Sequence, residues 1–395
     1  MSEIRKRCIS PRTALRKDNL SGSFICSKYR FSPYMACEHG CAYCDGRAER
    51  YYVEGDFERD IVVRENLPEL LKQELSKLRE RGIISIGSGV SDAYQPVERE
   101  EQLTRRCAEV LVDTSLPVAL MTKSDLIIRD IDLWSNINGG SLFLMMMSHT
   151  FADDQLRQIF EPKASTVEAR LNTLKSFKDA GCAVGVLAMP LLPGISDTEE
   201  NLRQLFNSLA DFEPDFVMPS GLTLRPGKQK EHYLHVIKKH FPQLMTKYED
   251  LYRENRPSGM VLGSYRYPVH RKMHEILKDY RLPHLVPHRI YRNHVMLYDE
   301  INILMMHMME LYELRGIDTG PLRSSAGRFQ EWLVEHKKEY NRRRSMKYEE
   351  LADLVRDGLQ DGRIAKIIDN PKLLTFLQAV ALEGREFDYV DLTLN

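Results

Sequence analysis

Long apolar stretches are what this 395-residue sequence most clearly lacks. No run reaches the roughly 18 apolar residues that a membrane-spanning helix needs. The N-terminal stretch MSEIRKRCISPRTALRKDNL is polar and basic, without the apolar core of a secretory signal. These absences argue against a membrane-embedded or secreted protein and predict a cytoplasmic one, in which thiols stay reduced. The chain is long enough to bury a large core without disulfides.

A fourth cysteine is missing where the sequence places three close together. Cys37, Cys41 and Cys44 lie in the stretch SPYMACEHGCAYCDGR, residues 32–47, with the spacing C-x3-C-x2-C. An odd number does not suit a disulfide framework, and a closed zinc site takes four ligands. Thiolates favour iron–sulfur clusters or zinc, and three of them leave one iron of a four-iron cluster without a protein ligand. The spacing therefore predicts a metal cluster with one open position.

The charge of the chain is small overall but unevenly distributed. The net charge is −1, yet residues 225–294 carry 15 Lys and Arg against 6 Asp and Glu, with eight of the twelve histidines. SYRYPVHRK (264–272) and PHRIYRNH (287–294) interleave basic and aromatic residues. This pattern suits a nucleic acid, whose phosphates and bases it would contact, and equally a solvated basic flank of the fold.

Short apolar runs alternate with helical patterns in the middle of the chain. Runs bounded by Gly, Pro or Ser are typical of strands buried on both faces of a parallel sheet. Such strands are predicted at 83–88, 118–122, 142–147, 184–189 and 216–220, with a sixth, SFICS near Phe24, ahead of the cysteines. Six strand–helix units joined by right-handed crossovers predict an α/β fold, an open partial (β/α)6 barrel of the TIM type. Ligands of such folds bind beyond the C-terminal ends of the strands.

Capping signals predict where several helices begin. A Ser followed three residues later by Glu is a capping box, and it occurs at Ser165 and Ser196, ahead of two predicted helices. Further helices are predicted at 67–81 and 98–112. The stretch EINILMMHMMELYEL (300–314) is apolar on nearly every side and predicts a buried helix.

Four regions follow from these patterns. They are a polar N-terminal extension at 1–21, the partial barrel at 22–230, a basic His- and Tyr-rich segment flanking the barrel at 231–298, and a mostly α-helical C-terminal region at 299–395.

The cysteine stretch resembles the cluster motif of the radical S-adenosylmethionine (radical SAM) superfamily, including the aromatic Tyr43 just before the third cysteine. The resemblance implies a 4Fe–4S cluster held by Cys37, Cys41 and Cys44, with S-adenosylmethionine chelated to the open iron. It implies reductive cleavage of that sulfonium to methionine and a 5′-deoxyadenosyl radical, which abstracts hydrogen from a substrate. An external electron donor of the flavodoxin or ferredoxin type is also implied. The partial barrel is that superfamily's core fold.

Four further stretches narrow the resemblance. They are SDAYQPVERE (91–100), MTKSD (121–125), FEPKASTVEARLNTLKSFKDAG (160–181) and MPLLPGISD (189–197). In this order they resemble the spore photoproduct lyase-like branch, often described as DNA repair photolyase-like. The resemblance covers about residues 22–225 and implies a nucleic acid as the substrate class, for which the basic segment is the only other support.

Polar residues at strand ends are the cofactor contacts that the resemblance implies. Ser91 and Asp92 follow the second predicted strand, Lys123 ends the third and Ser148 ends the fourth. Lys123 would meet the carboxylate of S-adenosylmethionine, and the two serines would bond its polar groups. The alternative for each residue is a structural role, in which its side chain only forms hydrogen bonds at the end of its own strand.

One departure from the branch concerns a hydrogen donor. Spore photoproduct lyases place a cysteine two residues before the serine of the second-strand loop, and it donates a hydrogen atom to the product radical. The matching residue here is Gly89. Cys107 and Cys182 fall elsewhere and are predicted to be small buried residues. The resemblance therefore implies the radical-generating machinery but not the photoproduct-lyase reaction itself.

A second hypothesis is a protein without catalytic activity. Here Cys37, Cys41, Cys44 and His39 would form a closed zinc or iron–sulfur site, and the basic segment would bind nucleic acid. His39 lies between the first two cysteines, which makes simultaneous binding of all four side chains cramped. Zinc at one per chain would favour this hypothesis, and four irons would favour the first.

Overall fold

Two compact units make up the computed structural model of the chain, which describes residues 3–18, 20, 24–87, 89–209 and 212–395. The first unit comprises Met1–Arg16, Arg30–Leu75 and Ile84–His284, and the second comprises Lys17–Tyr29, Ser76–Ile83 and Leu285–Asn395. No described helix is both long and apolar enough to cross a lipid bilayer. The four regions drawn from the sequence stay a prediction, and the extension at 1–21 lies partly outside the described residues.

Two sheets contain the named strands. The strands are β1 (Arg5–Ile9), β2 (Arg16–Lys17), β3 (Ser27–Phe31), β4 (Tyr34–Met35), β5 (Asp60–Arg64), β6 (Ile83–Ile86), β7 (Val118–Thr122), β8 (Phe143–Ser148), β9 (Ala183–Leu191) and β10 (Phe216–Gly221). The larger sheet has the order β10-β9-β8-β7-β6-β3-β2, and β6 to β10 pair in parallel with their neighbours. Parallel pairing brings the C-terminal ends of these strands to one edge.

The predicted partial (β/α)6 barrel is confirmed. Strands β3 and β6–β10 alternate with helices, and every residue of β6 and β8 is buried, as expected when both faces of a parallel sheet are covered. The strand predicted at 118–122 has those bounds in the structure. The other predicted strands overlap β6, β8, β9 and β10, but the first barrel strand, Ser27–Phe31, begins after Phe24, around which it was predicted. Ser23 of that predicted run lies outside the described residues.

A second, three-stranded sheet has the order β1-β5-β4. β1 pairs in parallel with β5, and β4 pairs antiparallel with it. The sequence predicts no strand at β1, since RKRCI is almost wholly exposed and lacks the apolar run that reveals a buried strand. Arg5 also pairs with Asp60 across this ladder.

Helices fill the remainder of the fold. In the first unit they are α1 (Leu67–Leu75), α2 (Glu98–Glu101), α3 (Leu103–Val112), α4 (Ile131–Gly140), α5 (Asp154–Phe160), α6 (Val167–Asp179), α7 (Glu199–Asn207), α8 (Lys228–His240), α9 (Met245–Leu251) and α10 (Gly263–Asp279). In the second unit they are α11 (His288–Tyr291), α12 (Leu297–Glu313), α13 (Gly320–Arg342), α14 (Tyr348–Gln360), α15 (Ala365–Ile368) and α16 (Pro371–Ala381). The C-terminal region is therefore mostly helical, as predicted.

Several helix boundaries differ from the sequence prediction. The helix predicted over 67–81 ends at Leu75, and the one predicted over 98–112 is interrupted at Gln102, which has a φ of 47°. That left-handed conformation cannot continue an α-helix, so α2 and α3 are separate.

Threonines, not the predicted serines, cap two helices of the barrel. Thr166 accepts a hydrogen bond from the Ala169 amide at the start of α6, and Thr198 does the same for α7. The hydroxyl of Ser165 instead donates to Asp125, and the hydroxyl of Ser196 accepts from the Leu192 amide. The predicted capping boxes at Ser165 and Ser196 are therefore wrong, because tertiary contacts take up both serine hydroxyls.

A buried ion cluster lies within the second unit. Lys28, which is 2% exposed, pairs with Glu80 and with Asp299 at 2.6 Å. Lys337 lies 3.1 Å from the Glu80 carboxylate, and the Tyr298 hydroxyl donates to that carboxylate. Asp299 and Tyr298 belong to α12, which is buried as predicted. Burial raises the pKa of Glu80, but the charges of Lys28 and Lys337 outweigh it and hold the pKa well below its ordinary value.

We expect Glu80→Gln to lower the free energy of unfolding by about 3 kcal/mol, because it leaves buried lysines short of a counter-charge. Urea denaturation at neutral pH measures this, and Glu335→Gln on the exposed face of α13 is the control. Because folding lowers the pKa of Glu80, its contribution is complete above the unfolded pKa and is lost as the pH falls below it. Equal loss of stability at low pH in wild type and Glu80→Gln would contradict this assignment.

Candidate metal and cofactor site

The three cysteines share one buried loop after β4. Cys37 and Cys41 are buried, Cys44 is half-buried, and all three are free thiols. The Gly40 amide donates to the Cys37 carbonyl and the Cys44 amide donates to the Cys41 carbonyl, so the loop turns tightly. Gly40 has a φ of +66°, and a Cβ there would lie 2.9 Å from Glu58. The turn between the first two cysteines therefore requires glycine.

Side chains from the rest of the unit fix this loop in place. The Arg47 guanidinium donates to the carbonyls of Cys41 and Gly40 and pairs with Glu58. Gln229 on α8 donates to the Tyr43 carbonyl at 2.9 Å. The loop thus holds its shape through contacts with residues far away in the sequence.

Burial disfavours charge on all three thiols. It raises the pKa of Cys37 well above the ordinary value, and the charges of Asp92 and of the other two cysteines add to this effect. Burial also raises the pKa of Cys41 to about 12 and raises that of Cys44. Thiolates here need nearby positive charge, which bound metal supplies. Three soft donors on one loop fit an iron–sulfur cluster.

A group of three ligands around a single ion is not found among the His, Cys, Asp and Glu side chains of the described ranges. The thiolates of a four-iron cluster bind different irons and need not converge on one ion. His39, the fourth ligand in the alternative hypothesis, has its Nδ1 3.5 Å from a carboxylate oxygen of Asp92.

Lys123 lies beside the cysteine loop, at the end of β7. Its Nζ is 5.9 Å from the centre of the Tyr43 ring. Burial lowers the pKa of Lys123, but the charges of Cys41 and Glu161 outweigh it and raise the pKa overall. The ammonium therefore stays charged in a half-buried position, as a group that meets a carboxylate should.

Asp92 positions Lys123. Its carboxylate accepts from the Lys123 amide at 2.8 Å and from the Thr122 hydroxyl at 2.6 Å. Ser91, its neighbour, donates from its hydroxyl to the Ala36 carbonyl at 3.0 Å, just before the first cysteine. The structure therefore brings the predicted residues Tyr43, Ser91, Asp92 and Lys123 together around the loop, and their contacts with a cofactor stay a prediction.

Ser148 ends β8 and is buried. Its carbonyl accepts from the Arg170 guanidinium at 2.9 Å. The next two residues, His149 and Thr150, are fully buried, and their side-chain polar atoms have no hydrogen-bond partner within the described part of the chain. Burial lowers the pKa of His149 to about 3, so it is neutral. Unpaired polar groups at the C-terminal end of a barrel strand fit a polar ligand such as S-adenosylmethionine.

Two charged residues of the site were missed at the sequence level. Glu161 and Arg170 are both buried and form an ion pair, and Glu161 also accepts from the Tyr43 hydroxyl. Both lie in the stretch 160–181. The signal available in the sequence was a charged residue at a position that otherwise faces the core. They connect the aromatic residue of the cysteine motif to the end of β8.

Comparisons with known proteins identify relatives of this chain. A family model described as the radical SAM superfamily matches residues 31–206. An uncharacterized protein of Methanocaldococcus jannaschii is 30% identical over 211 residues, which make up 53% of this chain and 75% of that protein. A radical SAM Nalpha-GlyT isomerase of Pseudomonas phage M6 is 24% identical over 246 residues, 60% of this chain and 48% of the phage protein.

Among solved structures, a mutant of spore photoproduct lyase has a TM-score of 0.51 at 16% identity, covering 70% of this chain and 79% of that one. At this level of identity the likeness is one of fold.

Proposed function

The chain belongs to the radical SAM superfamily, and on that premise we propose that it is an enzyme that cleaves S-adenosylmethionine reductively at a 4Fe–4S cluster. Membership implies the cluster and S-adenosylmethionine as cofactors. The observation that carries the proposal is the loop of three free thiols, two buried and one half-buried, beside the Lys123 ammonium, which lies 5.9 Å from the centre of the Tyr43 ring. Cys37, Cys41 and Cys44 each hold one iron in this proposal, and the fourth iron is left for S-adenosylmethionine.

When bound, the reduced cluster supplies the electron that splits the sulfonium and yields a 5′-deoxyadenosyl radical able to abstract hydrogen from a substrate. The chain's own residues hold and enclose the reactants. Lys123 pairs with the carboxylate of S-adenosylmethionine, and Asp92 keeps the Lys123 backbone in place. Ser91 and Ser148 bond the cofactor's other polar groups, and the unpaired His149 side chain adds a neutral donor or acceptor.

The electron is proposed to come from an external donor of the flavodoxin or ferredoxin type. The substrate class is proposed to be a nucleic acid, on the branch resemblance and the basic segment. Part of that segment is free to contact phosphates and bases: Tyr267 on α10 is 64% exposed, and the Arg266 guanidinium lies 4.8 Å from its ring centre.

We expect alanine at Cys37, Cys41 or Cys44 to abolish formation of 5′-deoxyadenosine and to remove most of the iron, because each thiolate holds a separate iron. Iron analysis and chromatography of the products, after anaerobic reconstitution and reduction, measure both effects. Cys8→Ala is the matched control, since Cys8 is an exposed thiol outside the loop. Wild-type protein that binds one zinc per chain and no iron would contradict the proposal.

We expect Lys123→Met to weaken S-adenosylmethionine binding about tenfold to a hundredfold, the usual effect of losing a hydrogen bond to a charged group. Calorimetry on the reconstituted protein measures the affinity, with iron content as the check that the cluster has formed. Lys163→Met removes an exposed lysine and serves as the control. An unchanged affinity in Lys123→Met would remove this residue from the cofactor site.

We expect single- or double-stranded DNA to bind with an affinity that falls as salt rises, because phosphate contacts release counterions. Gel-shift titrations at several salt concentrations measure the slope. Arg266→Gln should reduce that slope by about one, whereas Arg106→Gln on α3 should leave it unchanged. No binding even at low salt would rule out DNA as the substrate class.

A further inference from the structure

A cavity of about 290 Å³ lies beside the cysteine loop, within the first unit. Ala36 and Asp45, which line it, directly precede Cys37 and follow Cys44 in the sequence. One water molecule needs only about 10–15 Å³ of such space, so the cavity is far larger than a single-water site. It therefore has room for a substituent of a substrate next to the proposed cluster.

Three arginines line this cavity: Arg16 from β2, Arg30 from β3 and Arg64 from β5. The Arg64 Nε is buried and has no hydrogen-bond partner among the described residues. Within the same described ranges, no carboxylate lies at ion-pair distance from Arg16 or Arg64. Burial and the charge of Arg16 lower the pKa of Arg64, so the two like charges act on each other.

The only carboxylate among the described lining residues does not balance this charge. The Asp45 carboxylate accepts from the Arg225 guanidinium at 3.1 Å, from the Thr223 hydroxyl and from the Gln229 amide. It is thus already neutralised by Arg225. Arg16, which is exposed, and Arg64, which is half-buried, therefore keep positive charge at the cavity that an entering anion would meet.

We propose that this cavity binds a phosphate group of the substrate and so anchors it beside the cysteine loop. Guanidinium groups match the geometry of phosphate and donate two parallel hydrogen bonds to it. A phosphate monoester carries about −1.5 to −2 charges and offsets this surplus better than one carboxylate. The role of the cavity as a substrate site rests on the proposed function, whereas its affinity for phosphate does not.

Gly89 forms an open part of the wall. A Cβ there meets nothing within 4 Å, and its backbone has no positive φ. A side chain therefore has room at this position in the lining of the cavity. This makes Gly89→Asp a second variant, because it supplies an anion without disturbing the arginines.

Calorimetric titration with inorganic phosphate, at constant ionic strength and without S-adenosylmethionine, tests the proposal. We expect Arg64→Gln and Arg16→Gln to weaken phosphate binding about tenfold to a hundredfold each. Arg12→Gln is the control, since Arg12 is an exposed arginine near Arg16 in the sequence that does not line the cavity. Equal phosphate affinity in wild type and both arginine variants would overturn the proposal.

Gly89→Asp keeps the test decisive if an arginine variant folds poorly. The introduced carboxylate should pair with the arginines and abolish phosphate binding. The temperature of thermal unfolding should stay unchanged or rise, because the repulsion between like charges is relieved. Phosphate binding that survives in Gly89→Asp would count against the cavity as the site. Acetate that binds as tightly as phosphate would overturn the assignment of phosphate.

The two proposals fail separately. If the wild type forms 5′-deoxyadenosine but Arg16→Gln and Arg64→Gln leave phosphate affinity unchanged, the cavity proposal is wrong and the enzyme proposal stands. If the arginines control phosphate affinity but the protein binds no iron, the cavity is a phosphate site and the radical enzyme proposal is wrong.

Discussion

The charge balance around the three cysteine thiols is the constraint on which the candidate site depends. Lys123 and Arg170 bring two positive charges to the site, and Glu161 and Asp92 bring two negative ones. The two buried imidazoles there are neutral, because burial lowers their pKa. These side chains balance while the thiols are protonated. Three thiolates would add negative charge where water has little access, and the cations of the proposed cluster would offset it.

The parallel sheet holds these charged side chains in fixed positions. Asp92 follows β6 and accepts from the backbone of Lys123, which follows β7. Arg170 on α6 donates to the carbonyl that ends β8 and pairs with Glu161, which in turn receives the Tyr43 hydroxyl. The first contact joins the ends of β6 and β7, and the second set joins the end of β8 to the cysteine motif through buried charged groups. Such networks are rigid, because breaking one member leaves another buried charge without a partner.

The sequence reveals the parts of this fold that repeat or that lie close together in the chain. The apolar runs predict the parallel strands, and the cysteine spacing predicts a cluster loop, because both signals are local. The Glu161–Arg170 pair and the caps at Thr166 and Thr198 are decided by tertiary contacts that no local pattern contains. The arginine cavity is not predicted either, since it joins residues of β2, β3 and β5 that are separated in the sequence, and β2 is an exposed strand of only two residues.

Gly89, which stands at the position of the cysteine in the lyase branch, also lines the arginine cavity. Where that branch carries a hydrogen-donating cysteine, this chain has an open wall, and no cysteine occurs among the described residues that line the cavity. Cys107 and Cys182 are buried, on α3 and just before β9. The wall therefore offers a substrate no thiol hydrogen. What it offers is the positive charge of Arg16 and Arg64, and under the cavity proposal that charge would orient a substrate held by its phosphate and so select the hydrogens that face the cysteine loop.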